Sequence, residues 1–108
     1  MDEVRLSKIA KIIRSKNAGP FELTLDVFFR DEESFKQAKS SGFFTPSLIA
    51  RLYGISEDEV LGITWFEPAH ALKITIVRPL PSGSPGDTDV FGAQQHAPLL
   101  ELTLPWKG

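Results

Sequence analysis

The chain has 108 residues, 42% of them hydrophobic and 24% charged, with a net charge of −2 at pH 7. Those figures predict one domain of ordinary size over residues 1–108 and give no general attraction for nucleic acid or an anionic membrane. No cysteine is present, which excludes disulfides, thiolate zinc sites, iron–sulfur clusters and thiol nucleophiles.

At the start, MDEVRLSKIAKIIRSK lacks the unbroken apolar run and small-residue cleavage site of a secretory leader. No segment approaches the roughly 20 apolar residues that span a bilayer, so a cytoplasmic protein is the expectation. Leu6, Ile9, Ile12 and Ile13 fall at helical spacing, although the isoleucines also suit a buried strand, and periodicity favours a helix over Leu6 to Arg14. The run Lys16-Asn17-Ala18-Gly19-Pro20 then breaks whatever precedes it, because Asn and Gly tolerate positive φ and a proline keeps its predecessor out of the helical region.

Strict alternation follows. Phe21, Leu23, Leu25, Val27 and Phe29 share one face of a predicted strand, with Glu22, Thr24 and Asp26 on the other. Asp31 is placed to cap a short helix with Glu32 and Glu33 in its first turn, and Gly42 to end it. Thr45 and Pro46 form a cap and first-turn pair for a second helix through Tyr53, stopped by Gly54. The segment Ser56 to Glu59 fits a capping box, and the β-rich run Val60 to Phe66 limits it to a single turn. Glu67 to His70 reads as a reversal with His70 facing solvent. Leu72, Ile74 and Ile76 alternate through a second strand that pairs with the first. Leu100, Leu102 and Leu104 point inward from a last strand that Pro105 ends. These elements predict an α+β fold with helices on one face of a mainly antiparallel sheet, for which the ferredoxin-like arrangement is the nearest common template.

Two polar segments lie outside that scaffold, Arg14-Ser15-Lys16-Asn17-Ala18-Gly19 and Ser82 to His96. A loop of the second one's length is functional or disordered in a compact domain, and Val90, Phe91 and its varied hydrogen-bonding side chains favour function over a slack linker. In it, Ser82-Gly83-Ser84-Pro85-Gly86-Asp87 could aim backbone amides at an anion, yet the segment carries neither a P-loop nor a dinucleotide-binding pattern. Asp87 and Asp89 lack the glycine and distal glutamate of a calcium loop and are better read as partners of turn amides or of Arg14 and Lys16. His96 can act as a general acid or base if a carboxylate such as Asp87 orients it, or it can simply tie the loop down. Lys16 and Asn17 could bind a carboxylate or phosphate, with Arg14, Ser15, Ser82, Asp89, Gln94 and Gln95 as further substrate or partner contacts. Two histidines cannot build a three-histidine metal centre; no metal site is predicted and no cofactor is identified.

Ile12-Ile13-Arg14-Ser15-Lys16-Asn17-Ala18-Gly19-Pro20-Phe21-Glu22-Leu23-Thr24-Leu25-Asp26, with the loop from Arg78-Pro79 to Gly92-Ala93-Gln94-Gln95-His96-Ala97-Pro98-Leu99-Leu100, resembles a small bacterial family of domains of unknown function. That family is similar to the C-terminal ferredoxin-like domain of AtuA-type acyclic terpene utilisation proteins and is encoded beside, or fused to, the large AtuA-type domain. The resemblance implies a first strand where periodicity prefers a helix, and a strand-to-strand connection over Arg14 to Gly19. That connection carries Lys16-Asn17 where the AtuA-type tail is acidic and glycine-rich. It further implies the small component of a two-part catabolic assembly, with hydratase or lyase chemistry on acyl-CoA or hydroxy-acid substrates in the large partner. Two other readings stand beside it: a stand-alone enzyme using His96 with Asp87 or Asp89, and a structural homo-oligomer.

Overall fold

The computed structural model of the protein describes residues 2–78 and 97–107. Six strands and four helices occur there in the order β1 (Glu3–Arg5), α1 (Leu6–Ile9), β2 (Ala10–Asn17), β3 (Glu22–Phe29), α2 (Glu32–Ser40), α3 (Pro46–Tyr53), β4 (Val60–Phe66), β5 (Ala71–Val77), α4 (Ala97–Leu100) and β6 (Thr103–Pro105). Strands β2, β3, β5 and β4 form one antiparallel sheet in that spatial order, and β1 pairs with β6 in a second, two-stranded sheet. The class is α+β with antiparallel sheets. Within the four-stranded sheet two hairpins, β2–β3 and β4–β5, flank the helix pair α2 and α3.

The local signals for the helices act as their chemistry requires. The Asp31 carboxylate accepts from the Ser34 N–H at 2.7 Å and Thr45 Oγ1 from the Leu48 N–H at 3.1 Å, each satisfying an orphan donor of a first helical turn. Pro46 opens α3, and Gly54 closes it in the left-handed region at φ 67°, where a side chain would be strained. The Ser56 N–H donates to the Glu59 carboxylate at 3.0 Å around one 3-10 turn. Helix α2 stops at Ser40, two residues before Gly42, which carries the positive φ of the following turn.

The core lies between the helices and one sheet face. Leu23, Leu25, Val27 and Phe29 of β3 and Leu72, Ile74 and Ile76 of β5 are fully buried, packed with Leu6, Phe35, Ala38 and Ile49. Each such aliphatic side chain contributes about 1.5–3 kcal/mol. Trp65 of β4 closes the cluster, stacked on Phe29 at 6.2 Å and edge-on to Phe35 and Phe44 at 5.7 and 5.8 Å.

Several expectations are corrected. Leu6 to Arg14 is neither one helix nor one strand: a single turn holds Leu6 and Ile9 in the core, and the chain then extends from Ala10. Arg14, Ser15, Lys16 and Asn17 belong to β2 rather than to a connection, because their register against Asp26, Leu25, Thr24 and Leu23 continues the ladder; the turn is left to the residues around Gly19. Phe21 lies beyond β3 and is 63% exposed. Leu100 ends the short helix α4 and is 38% exposed, whereas Leu99 is buried, so the inward phase is set by the helical turn and not by strand alternation; β6 runs through Pro105. His70 has a left-handed backbone at the β4–β5 turn and is half-buried, its ring 5.7 Å from Phe35, not directed to solvent.

Candidate open-face site on the sheet

Alternation along four paired strands puts every second residue on the side of the sheet opposite the core. The register aligns Ile12, Phe28, Ala71 and Phe66 in one row across the strands. The next row is Arg14, Asp26, Lys73 and Thr64, and the one after it Lys16, Thr24, Thr75 and Gly62. One apolar strip therefore runs beside one cationic strip.

Ile12 and Phe66, on the outer strands, are 48% and 54% exposed. Asp26, on an inner strand, is only 6% exposed and Thr24 is buried as well. Arg14 and Lys73 flank Asp26 on its two sides, while Thr24 lies between Lys16 and Thr75 and its hydroxyl donates to the Lys16 carbonyl at 3.3 Å. A buried carboxylate is held by charge pairing and hydrogen bonding. Arg14 supplies both, its Nε–H donating to Asp26 Oδ2 at 3.1 Å. The guanidinium carbon also lies 4.9 Å from the centre of the Phe28 ring, within cation–π range. Arg14 is thus held by two contacts although its side chain is half exposed.

These groups line a groove of about 300 Å³ bounded by Arg14, Lys16, Asp26, Phe28, Phe66 and Lys73. It is at the small end of the range for small-molecule sites. Three cations face one carboxylate there, on a chain whose net charge is −2. A larger groove, of about 500 Å³, lies between α2 and the β4–β5 turn, but its charges are matched in pairs: Lys36 with Glu32 at 3.5 Å and Lys39 with Glu67 at 3.1 Å. Excess charge of one sign beside exposed apolar surface distinguishes the sheet face as the candidate site.

Of the residues expected to act, Arg14 and Lys16 lie on this face. Ser15 and Asn17 share their strand but pair with Leu25 and Leu23, which puts them on the core side. Ser82, Asp87, Asp89, Gln94, Gln95 and His96 lie outside the described residues. Asp26, Phe28, Phe66 and Lys73 were not singled out from the sequence; the available signal was the outward phase of each strand, which carries all four. Among the described residues no three of His, Asp and Glu come together as a metal site. No helix among them is long and apolar enough to cross a membrane. Burial pushes the Tyr53 phenol above its ordinary range, so it keeps its proton at neutral pH.

A protein-family model described as a domain of unknown function, DUF4387, matches residues 6–103. The chain belongs to this family. The matched span runs from α1 to the first residue of β6 and so includes all four strands of the open face. No curated protein matches the chain. No solved structure matches it.

Proposed function

We propose that this DUF4387 chain is the small subunit of a two-part AtuA-type catabolic assembly, and that its open sheet face forms one wall of a site completed by the large partner. The observation that supports the reading is the face itself. Half-exposed Phe66 shares a shallow groove with Arg14, Lys16 and Lys73, half-exposed Ile12 lies in the same cross-strand row as Phe66, and a groove this small and open on one side encloses a ligand only when a second surface covers it. The partner surface is apolar where it meets Ile12 and Phe66 and carries carboxylates opposite Lys16 at the β2 edge, so that each side supplies what the other lacks. Hydratase or lyase chemistry on acyl-CoA or hydroxy-acid substrates would belong to the large subunit.

Co-expression with an AtuA-type large protein is the test. A stable complex that Phe66→Asp dissolves supports the reading. Separate elution of two independently acting proteins refutes it, and a self-associated chain seen by light scattering would put a second copy on the face instead.

A further inference from the structure

Within that groove the charged row is more specific than a cationic patch. Asp26 lies in the middle of the row, flanked by Arg14 on β2 and Lys73 on β5. Among the described residues it is the one acceptor on Arg14 and takes its Nε, while Phe28 lies within cation–π distance of the same guanidinium. An arginine anchored through Nε and against an aromatic ring loses little freedom on meeting an anion, and its terminal amines are the fork that suits a planar carboxylate. Lys73, exposed on the other side of Asp26, supplies a second, mobile donor to the same head group. The adjoining row offers Phe28, Ala71 and Phe66 as a flat apolar bed.

The buried Asp26 carboxylate also sets the charge of the ligand. Within that row Arg14 and Lys73 against Asp26 leave one excess positive charge, which a single carboxylate neutralises and a doubly charged phosphate exceeds; Lys16 stands apart, in the next row. From this juxtaposition we infer that the sheet face binds an amphipathic monoanion: one carboxylate between Arg14 and Lys73, on a compact apolar body lying over Phe28 and Phe66. This names a ligand class for the site of the proposed assembly and rests on that reading only for where the second wall comes from. Asp26 is a positioning residue in it, acting through Arg14.

The probe is 2-naphthoate, titrated into the full chain by calorimetry and amide-resolved NMR, beside 2-naphthylmethanol and 2-naphthyl phosphate. The expected result is amide shifts centred on Arg14, Asp26 and Lys73, with the neutral and the doubly charged analogues each bound about tenfold more weakly, the equivalent of one charged hydrogen bond. Arg14→Gln should weaken naphthoate about tenfold, Lys73→Ala and Phe66→Ala severalfold. Both of the latter are exposed side chains whose removal leaves the fold intact. Asp26→Asn should weaken naphthoate while improving the phosphate relative to it, a reversal that loss of packing would not produce. Equal binding of all three compounds overturns the inference, as do shifts confined to the groove between α2 and the β4–β5 turn or an indifferent Lys73→Ala. Binding by the chain without partner capture would keep the ligand site and remove the shared wall. Partner capture without naphthoate binding, by chain or complex, would remove the ligand site alone.

Discussion

At the middle of strand β3 both sides are buried, and they differ in almost everything else. Leu23, Leu25, Val27 and Phe29 are buried by helices that close over them, a matter of volume and shape. Thr24 and Asp26 are buried on the open face, beside Arg14, Lys16 and Lys73 of the adjacent strands, with Arg14 bonded to Asp26. Low exposure is thus two different physical conditions. The first excludes water permanently, and substitutions there act on stability. The second is a place among long, charged chains, and substitutions there act on what the surface can bind.

The largest expected effect sharpens that contrast from the core side. Leu25→Ala should lower unfolding free energy by about 2–5 kcal/mol in urea denaturation, because the α2 and α3 layer cannot collapse into the space. On the open face, a double-mutant cycle of Arg14→Ala with Asp26→Ala should return a coupling of about 0.5–1 kcal/mol, since half of the arginine is in water. A coupling of 3 kcal/mol or more, as for a buried pair, would break the comparison. Phe66→Asp should stay within about 0.5 kcal/mol of the parent in the same denaturation while abolishing partner capture.

The smallest effect concerns acid. The Ser34 N–H bonded to Asp31 holds that carboxyl below its ordinary value of 3.8. A depressed carboxylate contributes stability that is present above the unfolded value and is lost as pH falls through the folded one. Asp31→Ser keeps the cap without the charge, so the parent should lose more stability than the variant between pH 5 and the acid limit, in this helical layer and not at the sheet face.

Features written in neighbouring residues were legible in the sequence. Thr45-Pro46 and Gly54 delimit α3 because capping is decided within a few residues, and the alternation of β3 marks its core face for the same reason. Cross-strand register is not local. Nothing near Asp26 in the chain announces that Arg14 and Lys73 will stand on either side of it, so Arg14 and Lys16 read as a polar connection and Phe28, Phe66 and Lys73 as ordinary strand residues. Leu100 shows the converse: its spacing with Leu102 and Leu104 mimics a strand, and one turn of helix shifts the phase so that Leu99 packs inward instead. The ambiguity at Leu6 to Arg14 was real, since the segment contains a helical turn and a strand in succession.

The pairing of β1 with β6 places Glu3 opposite Pro105, and the Trp106 N–H donates to the Asp2 carbonyl at 3.0 Å beyond them. Because the two strands are antiparallel and their outer ends leave on the same side, a force applied across positions 2 and 107 would load those hydrogen bonds one at a time rather than together. The small sheet would open like a zip at low force. The four-stranded sheet, whose hairpins lie inside that closure, would take the load only afterwards, giving a two-step extension trace with a short, weak first step.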